Sequence, residues 1–195
     1  MTTATPPKWA ERALGFFVAS RDRDTVSGDL LEAYRDSILP SRGSSAANRW
    51  YVRQVVGFAW RANRLWAVLF SASYFARTAY DWLVPTTDFS TRSTVSTYVA
   101  AGILLYAGFW AAWRSNLLRS GLVTGIVTML IAALMCVVGN GLLLAAWHDP
   151  ETLAAIEASG GIGEAFTLPV MLVVPAAVLG LFGGVIGATA RRLAR

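Results

Sequence analysis

With 195 residues, 55% of them hydrophobic and 15% charged, and a mean hydropathy of +0.47, the chain is too apolar for an ordinary soluble domain; its composition suits a lipid bilayer. Seventeen Lys and Arg against twelve Asp and Glu leave a net charge of +5, so an acidic partner, nucleic acid and an anionic lipid surface are all open until the charges are placed. The single cysteine, Cys136, lies inside an apolar run, which excludes an internal disulfide and any C-x-x-C metal spacing.

In chain order, the first twenty residues carry Lys8, Glu11 and Arg12 and lack a long apolar run with a small-residue cleavage site, so no signal peptide is expected and the amino terminus should stay and fold. Entry through Pro6-Pro7 and the spacing of Trp9, Ala13, Phe16 and Phe17 predict a helix over Lys8 to Ala19, ended by the Arg21 to Asp24 cluster. A second helix is expected from Val26 to Leu39, capped by Thr25 or Ser27 and stopped by Pro40. Leu31, Tyr34 and Ile38 form one face of it, and Asp29, Glu32 and Asp36 another. A third helix starts near Ala46 and is expected to run on into the first membrane span. Tyr51, Val55, Phe58 and Ala62 share one face of it, while Arg49, Arg53, Arg61 and Arg64 gather on another beside Trp50 and Trp60. A basic, Trp-bearing face of this kind suits the headgroups of an anionic cytoplasmic leaflet or a partner protein, though its arginines could equally pair with Asp29, Glu32 and Asp36. Residues 1–64 are thus expected to form a cytoplasmic helical domain.

The run Ser27-Gly28-Asp29-Leu30-Leu31-Glu32-Ala33-Tyr34-Arg35, then Arg42-Gly43, then Trp50-Tyr51-Val52-Arg53-Gln54-Val55, resembles the permease prefix domain at the amino terminus of bacterial ABC-transporter permeases of the macrolide-export type. The resemblance covers roughly Pro7 to Val56. Such permeases carry a large extracytoplasmic domain between their first two spans, whereas here ten residues separate Val84 from Val95. Export activity therefore does not transfer. What the resemblance implies is a cytoplasmic adaptor at the membrane face, a bacterial plasma (inner) membrane location, and a stand-alone relative with its own membrane part.

Residues 65–195 hold four stretches long and apolar enough to span a bilayer as helices: Leu65 to Val84, Val95 to Trp113, Leu122 to Trp147 and Thr167 to Ala190. They end at Pro85 with Thr86 to Asp88, at Arg114 to Asn116, at His148-Asp149-Pro150 and at Arg191-Arg192. The expected fold is all-α: a small cytoplasmic helical domain followed by a four-helix transmembrane bundle. Ten basic residues precede the first span, Arg114 and Arg119 lie between the second and third, and Arg191, Arg192 and Arg195 follow the fourth. The opposite loops hold Arg92 and the acids Asp149, Glu151, Glu157 and Glu164. The positive-inside rule then places both termini in the cytoplasm, and Trp66, Trp82, Trp110, Trp113 and Trp147 mark interfaces.

Arg77 and Asp81, four residues apart, share a helix face inside the first span; a structural ion pair reaching the outer interface is preferred over an ion path, since no further acid is expected at midplane depth. Asn140 needs an interhelical partner and reads as packing glue. His148, at a boundary without companion ligands, reads as solvated or capping. Gly121, Gly125, Gly180, Gly183, Gly184 and Gly187 stand at G-x-x-x-G spacings that allow close helix packing, either within the chain or onto a second membrane protein or copy. Pro175 is expected to bend the last helix. Gly160-Gly161-Ile162-Gly163 lacks the strand and lysine of a phosphate loop and reads as a flexible turn. No catalytic, cofactor-binding or nucleic-acid motif is present, so neither an enzyme nor a nucleic-acid binder is expected. The reading that follows is a membrane accessory or interaction protein, linked through the resemblance to a transport system, with membrane lipid and another membrane protein or a homo-oligomer as partners. The alternative is a small transporter or channel subunit working as an oligomer, in which Arg77, Asp81 and Asn140 share a polar cavity.

Overall fold

The computed structural model describes residues 5–84 and 89–194, and all regular structure among them is helical. The expected boundary at Pro85 to Asp88, and Arg195, lie outside the described residues. Helix α1 (Lys8–Phe17) buries Ala10, Leu14 and Phe17, an i, i+4, i+7 stripe. Trp9, expected on the apolar face, is instead 61% exposed, because it stands one residue, about 100° of rotation, off that stripe. Helix α2 (Arg23–Glu32) begins before the expected Val26. Neither Thr25 nor Ser27 caps it, since both lie within it, and Asp22 just ahead of it pairs with Arg21 instead of capping. Its packed stripe runs through Val26, Leu30, Tyr34 and Ile38, so Leu30 faces the core and not Leu31.

Pro40 does not stop the chain's helical course. Over Ala33–Ile38 the backbone widens into a π-helical turn in which Leu39 N–H reaches the Tyr34 carbonyl five residues back. This turn accommodates a proline that has no N–H to return to Asp36, and α3 (Leu39–Leu83) follows directly. The break comes at Gly43, whose φ of 74° and ψ of 168° a residue with a Cβ adopts only at a cost. Beyond it, one helix runs unbroken to Leu83, about 60 Å at 1.5 Å per residue. The near half of this helix closes a first core, where Tyr51 and Val55 meet Ala10, Leu14, Val18 and Tyr34. Tyr34 and Tyr51 pack edge to face at 6.1 Å, and the Tyr34 hydroxyl donates to Asn48 Oδ1 at 2.8 Å.

The far half of α3 packs against α4 (Phe89–Ser115) and α5 (Leu118–Ala146). Ala67, Phe70 and Tyr74 join Leu104, Met129, Ala133, Cys136 and Ala176 in a second core. Helix α6 (Pro150–Ala158) occupies what was expected to be a loop. Asp149 starts it, accepting from the Thr152 amide at 3.0 Å and hydroxyl at 2.8 Å, which holds the Asp149 carboxyl below its ordinary range. The glycine turn is confined to Gly160 and Gly161, both at positive φ, and α7 (Gly161–Met171) already begins there. The chain then enters α8 (Val173–Leu193) through a break at Leu172. Pro175 causes this break three residues ahead of itself, because the carbonyl it cannot serve is that of Met171.

Three helical segments are long and apolar enough to cross a membrane: Ser90–Ser115, Leu118–Ala146 and Gly161–Leu193. The first and third extend at both ends beyond the expected Val95 to Trp113 and Thr167 to Ala190, and the second starts before the expected Leu122 but stops one residue short of Trp147. The segment from Leu65 onward falls outside this set: Arg77, Asp81 and several hydroxyl-bearing residues lower its hydropathy.

Helix α8 lies between α4 and α5 at backbone contact. A Cβ on Gly180 would stand 2.5 Å from the Gly121 carbonyl oxygen and 2.9 Å from Gly125 Cα. One on Gly184 would stand 2.8 Å from the Leu118 carbonyl oxygen, and those on Gly183 and Gly187 would overlap the Leu105 and Phe109 carbonyls. Gly108 meets Gly180 in the same way. All six glycines singled out in the sequence are therefore engaged inside the chain, where only hydrogen side chains permit this separation.

Candidate functional site

The far end of α3 carries the charges that were expected inside the first span. Asp81 is 3% exposed and accepts from Arg77 Nε at 3.0 Å and from Arg92 Nη1 at 3.5 Å. Arg92 is committed further: it donates to the Tyr80 carbonyl at 3.2 Å and the Val84 carbonyl at 3.4 Å, and lies over the Tyr80 ring at 3.9 Å. It thus caps the carboxyl end of α3, a role that requires a cation and that the sequence alone did not reveal. Arg77 keeps its two terminal nitrogens without a hydrogen bond among the described residues. A cavity of about 30 Å³ lined by Arg77, Asp81, Ser159 and Glu164 adjoins the pair. A second, of about 200 Å³, separates α3 from α4 and the α7–α8 break, and its walls are mostly apolar, with Phe70, Leu104, Leu168 and Leu179.

Asn140 lines neither cavity. Its Nδ2 donates to the Ala165 carbonyl at 2.6 Å, and the Tyr74 hydroxyl reaches the same oxygen at 3.5 Å. The reason lies four residues on, at Pro169, which has no N–H to close the helix on Ala165. Asn140 supplies the donor that proline withholds, from a different helix. Its Oδ1 stays buried without a partner. Arg77, Asp81 and Asn140 therefore do not meet in one polar cavity. His148 is exposed next to the Asp149 cap.

At the other end of the helices, three arginines join the amino-terminal helices to the apolar ones. Arg23 Nη2 donates to the Ser115 carbonyl at 2.7 Å and the Gly15 carbonyl at 3.0 Å. Arg114 Nη2 donates to the Phe17 carbonyl at 2.7 Å, and Ser20 N–H returns a bond to the Arg114 carbonyl at 3.1 Å. Arg191 binds the Trp113 carbonyl through Nη1 and Ser20 Oγ through Nη2 at 3.0 Å. Each guanidinium thus satisfies orphan carbonyls at the carboxyl end of α1 or α4, where the helix dipole also favours a cation. Asn116, at φ 58°, turns the chain out of α4 beside them. The sequence placed these arginines on one side of a membrane; the reach from residue 23 to residue 115 had no signature in it.

The predicted basic face is present on α3. Arg49, Arg53, Arg61 and Arg64 are exposed, Trp60 is 48% exposed and Trp50 is half-buried. The alternative pairing with Asp29, Glu32 and Asp36 is not found: among the described residues the ion pairs are Arg21 with Asp22, and Arg77 and Arg92 with Asp81. Behind the face, Tyr51 is buried with its hydroxyl unpartnered, and burial together with the nearby Glu11 carboxylate raises its pKa above the ordinary value. Tyr34, Tyr51 and Val55 lie in the core behind the face with Leu30 against it, and Gly43 stands at the helix break, while Gly28, Asp29, Glu32, Arg35 and Arg42 are exposed. No family model matches the chain, and comparisons with curated proteins and with solved structures find no significant match.

Proposed function

We propose that the chain is a four-span membrane interaction protein whose amino-terminal helices serve as an adaptor at the cytoplasmic face of a bacterial plasma membrane. The observation that carries this reading is the arginine junction. Arg23, Arg114 and Arg191 hold the amino-terminal helices against the ends of α4 and α8, so the exposed basic face of α3 is presented in a set orientation. The distal half of α3 serves as the fourth span: its outward residues Leu65, Val68, Leu69 and Phe75 are apolar, while Ser71, Thr78 and Asp81 face inward. That is the reverse of a soluble helix and the expected polarity of one in lipid. The distribution of Lys and Arg supports cytoplasmic termini, and the prefix-domain resemblance supports the adaptor role and a link to a transport system.

Purification in native lipid, with co-purifying proteins identified by mass spectrometry and then reconstituted, tests the proposal. The charge-reversal variant Arg49→Glu/Arg53→Glu leaves both cores intact and should lose the partner by about tenfold or more, since each charge-assisted contact contributes roughly 1.5–3 kcal/mol. Undiminished binding of the purified partner by the variant would sink the adaptor reading. A homo-oligomer with no partner would do the same, and would direct attention to transport assays on Arg77 and Asp81 variants.

A further inference from the structure

Below the arginine junction, a crevice of about 310 Å³ opens between the α1–α2 turn, α3 and the end of α4. Phe17, Val26 and Phe58 give it an apolar floor. Arg21 at its rim is neutralised by Asp22 at 3.3 Å. Among the described residues Arg61 and Arg114 are not neutralised: Arg114 spends one nitrogen on the Phe17 carbonyl, and Arg61 makes no hydrogen bond or ion pair with another described residue. The crevice therefore presents two uncompensated positive charges above an apolar base.

Its level along the helices is set by several features. Arg61 stands one turn before Leu65, where the apolar part of α3 begins, and Arg114 lies in the last turn of α4. On the adjoining surface, Trp66, Tyr106, Phe109 and Trp113 form a continuous aromatic ladder, with ring centroids 5.5, 5.9 and 5.8 Å apart in turn. Such rings gather at headgroup depth, where one part of the ring is in hydrocarbon and the N–H or O–H is wet. Here two guanidinium groups can each offer paired N–H donors to the non-bridging oxygens of a phosphate.

We propose that this crevice binds the phosphate headgroup of an anionic membrane phospholipid, with Arg61 and Arg114 as the phosphate ligands and the Phe17–Phe58 floor under its glycerol. The inference rests on the proposed insertion of these helices in a bilayer and is independent of the adaptor role. The experiment is native mass spectrometry of the full chain from nanodiscs of mixed phosphatidylglycerol and phosphatidylcholine. Arg61→Gln is the informative variant, because its side chain makes no hydrogen bond or ion pair among the described residues, and Arg53→Gln removes the same charge from the same face outside the crevice. Phosphatidylglycerol should be retained over phosphatidylcholine, Arg61→Gln should lower that retention about tenfold, and Arg53→Gln should leave it unchanged. Equal retention of the two lipids, or equal loss in the two variants, overturns the site in favour of diffuse surface charge. Displacement of phosphatidylglycerol by millimolar inorganic phosphate overturns it in favour of a free anion. The Arg49→Glu/Arg53→Glu partner assay reads the adaptor role separately, so failure of either proposal is distinguishable from failure of the other.

Discussion

If Asn140 is present to repair the backbone at Pro169, its contribution must vanish when the proline does. Asn140→Ala removes the 2.6 Å bond to the Ala165 carbonyl and leaves that oxygen only the 3.5 Å contact from Tyr74. Interhelical hydrogen bonds in membrane proteins average roughly 0.6 kcal/mol and reach about 1.7. The short geometry favours the upper part of that range, while loss of the unpartnered Asn140 Oδ1 recovers some of it. The expected cost is about 1 kcal/mol. Pro169→Ala supplies the missing N–H to Ala165 from within α7, so Asn140→Ala made in that background should cost close to nothing. Equilibrium unfolding of the four proteins in mixed micelles, followed by tryptophan fluorescence, gives the coupling energy directly. A coupling smaller than about 0.5 kcal/mol, the usual scatter of independent sites, would refute the argument that Asn140 answers Pro169.

Further outcomes follow at four other residues. Gly180→Ala should cost about 2 kcal/mol in the same unfolding assay, because its Cβ would meet Gly121 and Gly125 backbone; Gly28→Ala, with nothing within 4 Å, should gain about 0.5–1 kcal/mol from reduced chain entropy. Asp81→Asn should destabilise by about 3 kcal/mol by leaving Arg77 and Arg92 without their carboxylate, and a circular-dichroism melt would show it as a lowered midpoint. Tyr51→Phe should be neutral or stabilising by up to about 1 kcal/mol, since the hydroxyl it removes is buried and unpartnered. It should also remove part of the alkaline loss: the folded chain holds the Tyr51 proton more tightly than the unfolded one, so that contribution is present below 10.0 and lost as pH rises through the higher folded value.

Periodicity and hydrophobicity found the long helices, the glycine stripes and the basic face, because each is a local pattern with a period near 3.6, but missed α6 and the start of α7. They failed where one backbone defect is answered from elsewhere. Pro40 reads as a stop, yet a π turn six residues long accommodates it, and nothing in the spacing announces that turn. Pro175 was seen as a bend, while the equally important Pro169 went unremarked, so Asn140 read as interhelical glue with its partner unidentified. Trp9 was assigned inward from its spacing with Ala13, Phe16 and Phe17; the adjacent stripe through Ala10 and Leu14 is the buried one. Arg92 appeared as a lone loop charge because its partners, the last carbonyls of α3, are anonymous backbone.

These cases share a cause, and it bears on function. In a bilayer no water is present to satisfy a broken backbone bond, so polar side chains are drawn to helix ends and prolines. Asn140 serves Pro169; Arg92 serves the end of α3; Arg23 and Arg191 serve the end of α4; Arg114 serves the end of α1. A transport path needs polar groups whose bonds are free to be exchanged with a passing solute, and each of these has a donor committed to a backbone carbonyl, although Asn140 Oδ1 and Arg23 Nε stay unpartnered among the described residues and Arg114 commits only one nitrogen. Among the described residues Arg77, with its two terminal nitrogens unbound and no helix end to serve, is the exception inside the apolar part of the fold. Arg61 is the exception at its edge. Variants of these two residues therefore discriminate among the readings: a phenotype confined to Arg61 speaks for the membrane face, and one confined to Arg77 speaks for passage through the helices.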